Sequence, residues 1–362
     1  MDLLVILPRW VGDLVMSTPM LRALRAGVGP SARIVGVAKP HFAEILAGTP
    51  WLDDVVPFDR RSRDPRRRFL AVARELRRRR FETALVVPNS LSTAALALAA
   101  GVPRRVGFAG HWRRALLTDV LEVPCAGGRR DVWSPTRTGM ALLERIGLPA
   151  GPLTPELATL PEDERLCDDV LARLFPDRRG GALVVFNDNG AFGPAKSWGG
   201  EKFAALARLL LEHHPEARVV VHCGPGDRDD ARAIASRVGH PAVQSLADEP
   251  NLPFGLSKAL VRRAAVMVTS DSGPRHFAAA FGVPTVCLLG PMDPRLGWSD
   301  HPALREMRLD LPCAPCGKRT CPLGHHDCMR LLAVDDVGRM MLSLVSAAAA
   351  PQAAPGGSSR VA

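Results

Sequence analysis

Short apolar strands alternate with helical stretches twice along this chain, and that repetition constrains the fold more than any other feature. In the first half, strand-like runs stand at Leu3–Leu7, Arg33–Val37, Asp54–Pro57, Thr83–Val87 and Arg105–Phe108. A second set runs through Ala182–Phe186, Arg218–His222, Val243–Leu246, Ala265–Val268 and Thr285–Leu289. Strand, helix, strand repetition implies parallel sheets with helical crossovers, so the chain reads as α/β. The proline-rich stretch PAGPLTPELATLP, residues 149–161, separates the two sets. At 362 residues the chain exceeds one ordinary core, which fits two domains. We place them at 1–165 and 166–346. The remainder, 347–362, is Ala, Pro, Gly and Ser with almost nothing to bury, and is expected to be disordered.

Two turns carry the chemistry. Ala265–Val268 leads into Ser270-Asp271-Ser272-Gly273, with Pro274 where a first helical turn tolerates proline and a helix continuing from His276 to Phe281. Such a turn aims backbone N–H groups and the positive helix end at whatever lies above the sheet, a geometry that suits a diphosphate. His276 would sit in the first turn of that helix, as a donor to phosphate or as a core or capping residue. At the other end of the chain, Leu3–Leu7 is followed by Pro8-Arg9-Trp10-Val11-Gly12-Asp13. A helix is predicted from Ser17-Thr18-Pro19, with Thr18 as N-cap and Pro19 as the first helical residue. That leaves Asp13 in a loop at the carboxyl end of the first strand, where open α/β sheets place their ligands. One half then offers a carboxylate base and the other a phosphate cradle, the layout of an enzyme closing two domains over a nucleotide-activated donor.

The second half adds Lys196, in a Gly/Pro loop after the strand ending near Phe186, where a point positive charge can meet a departing diphosphate. His222-Cys223-Gly224-Pro225-Gly226-Asp227 gives half of a dinucleotide fingerprint. Asp227 or Asp229 could bond ribose hydroxyls there. No GxxxxGK[ST] motif occurs in the sequence, which argues against ATP hydrolysis. Cys125, Cys167, Cys223 and Cys287 are scattered and read as reduced packing residues. Cys313, Cys316, Cys321 and Cys328 form C-x2-C-x4-C-x6-C, with His325 and His326 in the same loop. Four thiolates so close could hold a structural zinc ion, although the spacing matches no standard finger, and free thiols or disulfides are the other readings.

No apolar run approaches the roughly 20 residues of a membrane helix, and no signal peptide is evident, so a cytosolic location is expected. The formal charge is +10, with arginine dense from Arg60 to Arg80. Much of that segment reads as a helix with Phe69, Leu70, Val72, Ala73 and Leu76 as its apolar face. It is either a solvated helix face or a surface for an anionic membrane. Nucleic acid is disfavoured, because aromatics make up 5% of residues, tyrosine is absent, and no stacking platform is evident.

PRWVGDLVMSTPMLRALR (Pro8–Arg25), FGPAKSW (Phe192–Trp198) and SDSGPRHFAAAFGVP (Ser270–Pro284) resemble glycosyltransferase family 9, the ADP-heptose:lipopolysaccharide heptosyltransferases, and most of all its heptosyltransferase II branch. Weaker echoes occur in PRRVGFAGHWRRALLTD (Pro103–Asp119) and CAPCGKRTCPLGHHDC (Cys313–Cys328). The sequence departs from the family in two places. Pro274-Arg275 replaces the apolar residue usual before the histidine, and Asn187-Asp188-Asn189-Gly190 stands where a Pro-Gly-Ala turn is common. The resemblance implies the GT-B architecture, two facing Rossmann-like domains with the site in the cleft between them. It implies an inverting transfer from ADP-heptose to a heptose of the lipopolysaccharide inner core, carried through Kdo on lipid A, at the cytoplasmic face of the inner membrane and without a cofactor. Asp13 and Lys196 would be catalytic, and Lys196, Asp227, Asp271, Ser272, Gly273 and His276 would bind the donor. Two alternatives stay open: a sibling enzyme with another inner-core acceptor, and a noncatalytic nucleotide-sugar-binding protein of the same fold.

Overall fold

In the computed structural model, residues 1–110, 112–126, 128–177, 180–188, 192–297 and 300–349 are described. The first sheet contains β1 (Asp2–Ile6), β2 (Arg33–Ala38), β3 (Asp54–Pro57), β4 (Thr83–Val86), β5 (Arg104–Phe108) and β6 (Asp119–Leu121). A small antiparallel ribbon follows, β7 (Cys125–Ala126) with β8 (Arg129–Arg130). The second sheet contains β9 (Leu183–Asn187), β10 (Arg218–Val221), β11 (Val243–Ser245), β12 (Val266–Ser270), β13 (Thr285–Leu288) and β14 (Leu304–Met307). All pairings within the two large sheets are parallel. Their strand orders repeat one plan, β3-β2-β1-β4-β5-β6 and β11-β10-β9-β12-β13-β14.

The repeated order positions the site. Strand order reverses direction beside β1 in the first sheet and beside β9 in the second, so the loops leaving β1, β4, β9 and β12 border a crevice at the strands' carboxyl ends. The central strands are apolar through most of their length because helices cover both faces. Leu3, Leu4, Val5 and Ile6 are buried, as are Val184, Val185 and Phe186.

The edge strands β6 and β14 escaped the sequence reading. Their residues are only partly covered, Asp-Val-Leu and Leu-Arg-Glu-Met, and so lack the continuous apolar signal of a central strand. The arginine-rich helix forms as Phe69–Arg79, but its buried face is Val72, Ala73 and Leu76. Leu70 points outward at 66% exposure, because it lies too far round the helix from the Val72–Leu76 stripe.

Residues 149–160 form no helix or strand and lie along the first domain. Arg22 Nη1 bonds Glu156 at 2.7 Å, and Glu156 N donates to Thr18 Oγ1 at 3.0 Å. A helix then runs from Pro161 to Leu174 and packs on the second-domain helix Phe254–Arg262, so a boundary at 165/166 falls within one helix. Lys258 on the latter helix is fully buried and donates to Ala158 O at 2.8 Å and Ala47 O at 3.2 Å, joining connector and first domain to the second. The last helix, Val334–Ala349, carries Ala347–Ala349, where disorder was expected. The alanines continue a helix already anchored by Val337, Met341 and Val345. Residues 350–362 of the expected tail lie outside the described residues.

Candidate active site

Asp13 stands in a helix, not in the expected loop. The chain turns helical directly after β1, from Val11 to Met16, and a second helix follows from Thr18 to Val28 with Ser17 as its N-cap. Thr18 does not cap it. Its hydroxyl donates to Val15 O at 2.7 Å, and Ser17 Oγ donates to Asp13 O at 2.7 Å. These two hydroxyls tie the short helix to the long one, and Asp13 sits in the first turn of the short one. Burial pushes its carboxyl up to about 6; the Lys196 ammonium opposes that shift and the Asp271 carboxylate adds to it. Desolvation dominates because a charge loses more water here than its neighbours return.

Lys196 ends a short 3-10 turn, Pro194–Lys196. Its ammonium donates to Asp271 O at 2.6 Å and Asp271 Oδ2 at 2.7 Å, and lies 4.7 Å from the Phe192 ring centroid. Asp271 is buried, yet the cations of Arg275 and Lys196 hold its carboxyl down at about 2 against the desolvation that would raise it. Arg275 Nε lies 3.1 Å from Asp271 Oδ1. The same guanidinium reaches Gly297 O at 2.7 Å, Cys287 Sγ at 3.1 Å and Glu306 at 3.6 Å. One carboxylate thus fixes two cations, and Glu306 faces the second of them.

Ser272 and Gly273 follow at the turn. Ser272 Oγ accepts from Asn187 Nδ2 at 2.7 Å. The Asn187 Oδ1 in turn accepts from His222 Nδ1 at 3.0 Å, and His222 Nε2 meets Ser257 Oγ at 2.9 Å. Complete burial pushes His222 down to about 4, so this network is neutral. The Asp188 carboxylate accepts from Ser197 Oγ, Trp198 N and Gly199 N, at 2.7, 2.7 and 3.2 Å, and so anchors the segment just beyond Lys196. Asn189 and Gly190 of this turn lie outside the described residues.

The halves meet at two glycines. A Cβ on Gly273 would come within 2.9 Å of Val11 Cβ, and one on Gly12 within 2.6 Å of His276 Cδ2. Only a residue without a side chain permits these approaches. His276 is therefore buried against the helix that carries Asp13, with Arg275 Nε 3.3 Å from its Nε2. Burial and the neighbouring Arg275 depress its basicity well below that of a free imidazole, so the ring is neutral.

The structure thus brings Asp13, Lys196, Asp271, Ser272, Gly273 and His276 into one crevice. Asp227 is the N-cap of helix Arg228–Val238, half-buried and with its acidity weakened by that burial. Asp229 is 97% exposed and paired with Arg232, a solvated ion pair. Arg275, Asn187 and Asp188 were missed as site residues. Arg275 and the Asn187 turn were visible only as departures from the family pattern, and beyond Asp271 beside Arg275 they have partners 22 and 85 residues away, at Gly297 and Ser272.

Cys313, Cys316, Cys321 and Cys328 form no disulfide and line one small pocket with His325, His326 and Ala195. Among the described residues, no group of three or more His, Cys, Asp or Glu side chains stands in metal-holding geometry.

Twin parallel sheets with a carboxylate and a lysine facing each other across their carboxyl ends define a GT-B type of enzyme. Comparison with known proteins agrees. The profile of glycosyltransferase family 9 (heptosyltransferase) matches residues 69–326. The chain is 30% identical to lipopolysaccharide heptosyltransferase 2 of Salmonella typhimurium over 310 residues, 81% of this chain and 84% of that protein. It is 27% identical to lipooligosaccharide heptosyltransferase 2 of Haemophilus influenzae over 311 residues, 82% and 85% of the two chains. The solved ADP-heptose lipopolysaccharide heptosyltransferase II of Escherichia coli superposes with a TM-score of 0.74 at 26% identity, covering 96% of this chain and 99% of that one. A family 9 glycosyl transferase of Veillonella parvula, 20% identical, shares the fold with a TM-score of 0.81 over 96% and 97% of the chains. The chain belongs to glycosyltransferase family 9, the heptosyltransferases.

Proposed function

We propose that this enzyme transfers heptose from ADP-heptose to a heptose of the lipopolysaccharide inner core, as a heptosyltransferase II. The observation that carries the reading is the meeting of Asp13, from the first sheet, with the Lys196–Asp271–Arg275 group of the second. The reaction is a single displacement. The acceptor hydroxyl oxygen attacks the anomeric carbon, Asp13 takes its proton, and the bond from that carbon to the β-phosphate oxygen breaks with its electron pair leaving on ADP. A carboxyl near 6 is largely ionised at neutral pH while remaining basic enough to accept a proton in flight. The developing charge on ADP meets the Lys196 ammonium, the Ser272 hydroxyl and the main-chain amides of the Ser272-Gly273 turn. Two of the three Lys196 donors are held by Asp271, which leaves one for a phosphate oxygen. Asp271 serves the donor by aiming Lys196, since a carboxylate would itself repel a diphosphate. No cofactor enters these steps.

Incubation with ADP-heptose and inner-core acceptors bearing zero, one or two heptoses, read by mass, tests this. One added heptose on the mono-heptosylated acceptor is expected. Transfer only to a heptose-free acceptor would assign the sibling reaction, and no transfer to any acceptor would leave a binding protein.

The acceptor is held on lipid A, and the charge distribution suits a peripheral place at the cytoplasmic face of the inner membrane. Among the described residues, no helix is long and apolar enough to cross a membrane. Arg61, Arg63, Arg74 and Arg78 are exposed in the same segment as the outward-facing Leu70, whereas Arg66 and Arg79 are engaged with Asp64 and Asp54. Each basic residue near an anionic bilayer contributes on the order of 1 kcal/mol. Replacing those four with glutamine should sharply weaken binding to vesicles containing anionic lipid at low salt and change little at 1 M, where the Debye length shrinks to about 3 Å. Transfer to a delipidated acceptor should persist. Equal vesicle binding by variant and parent would return these arginines to ordinary solvation.

A further inference from the structure

The cysteine-rich segment 313–328 does more than border the second domain, because it reaches both lips of the crevice. Its main chain holds the turn that carries Lys196: Ala195 N donates to Arg319 O at 3.0 Å, and His326 Nε2 lies 2.7 Å from Ala195 O. Gly193, at φ 145°, passes so close that a Cβ there would stand 2.8 Å from Arg319 O. The Arg319 side chain goes the other way, across the cleft. Its guanidinium lies 5.5 Å from the Phe192 ring centroid and 5.8 Å from that of Trp10. Phe192 is thereby flanked by the Arg319 and Lys196 cations, the latter at 4.7 Å. Trp10 is the residue whose carbonyl starts the Asp13 helix, accepting from Leu14 N at 3.0 Å. Both distances lie within the reach of a cation over an aromatic face, and a planar guanidinium can stack on two rings where an ammonium cannot.

We propose that Arg319 is a positioning residue for the transfer: bridging Trp10 of the first domain and Phe192 of the second, it sets the separation of Asp13 and Lys196 in the closed cleft. The inference rests on the functional reading above. Arg319 touches neither carboxylate nor diphosphate in this arrangement; it acts through the two aromatic residues that neighbour the reacting groups in sequence. The bridge also explains why an exposed tryptophan, 46% accessible, stands at the mouth of the crevice.

The test is a double-mutant cycle over the parent, Arg319→Ala, Trp10→Ala and the double variant, with kcat, KM, the pH–rate profile, ADP calorimetry and urea unfolding measured for each. Each single variant should lower kcat roughly two- to fivefold, the scale of one exposed cation–π contact, with ADP affinity unchanged. The double variant should be no worse than either single, since both remove the same contact. The acid limb of the profile should move upward, because Lys196 drifting from Asp13 removes the influence that lowers the Asp13 carboxyl. An unchanged kcat and acid limb, or effects that multiply in the double variant, would overturn the bridge. ADP affinity falling in step with kcat would overturn it too, by making Arg319 a ligand contact. A parent that transfers no heptose would sink the functional reading instead. The bridge would then stand or fall on coupling between positions 10 and 319 in the unfolding cycle.

Discussion

Asp13→Asn should lower turnover by roughly 10²–10⁴, the usual contribution of a general base, while leaving ADP affinity near that of the parent and making the folded protein more stable. Both effects come from one environment. The folded carboxyl titrates near 6 and an unfolded one near 3.8, so the native state binds the extra proton between those values. Stability from this group is therefore full below about 3.8 and is lost as the pH rises through 6. At pH 7.5 the parent carries the whole cost of a buried carboxylate, on the order of 3 kcal/mol at most, and asparagine carries none. The variant should thus melt at a higher temperature than the parent at pH 7.5, with the gap closing toward pH 4. The parent's kcat/KM should fall on the acid side with a midpoint near 6. Near-parental turnover in Asp13→Asn, with chemistry rate-limiting, would remove the assigned role.

Lys196→Ala should weaken ADP binding and slow transfer together, because the ammonium meets the diphosphate in the ground state and meets more charge as ADP leaves. Turnover should drop on the order of 10²–10³, as for removal of one preorganised donor, and parental ADP affinity should decline with salt more steeply than that of the variant. A second consequence separates Lys196 from a passive loop residue. Without its ammonium the Asp271 carboxylate still faces Asp13, so the Asp13 carboxyl should titrate higher and the acid limb of the profile move up. Unchanged ADP affinity by calorimetry would remove Lys196 from the site.

Arg275 shows why part of this site was hidden in the sequence. Its position beside His276 breaks the family pattern, and the local sequence offers it one partner, Asp271 four residues earlier. The tertiary structure adds Gly297, Cys287 and Glu306 around the same guanidinium, which makes a fully buried cation tolerable. His276 tells the same story from the other side. Its place in the helix was legible, whereas its burial against Gly12 depends on how the two domains meet.

The twin parallel sheets were legible in residue order alone, since apolar runs at helix-spaced intervals have no other way to bury both faces. The residue types at the two turns were legible there too, because a carboxylate after β1 and a Ser/Gly turn after β12 are local features with local signals. Packing across the fold, by contrast, was needed to show that Asp271 aims Lys196 and that Leu70 faces outward. It also decided that the Cys313–Cys328 segment supports the Lys196 turn and sends Arg319 to Trp10. Each of those outcomes depends on contacts between residues distant along the chain, or on which face of a helix finds a core. A carboxyl's acidity, likewise, follows from the water and charge around it, and those are settled when the two domains close on each other.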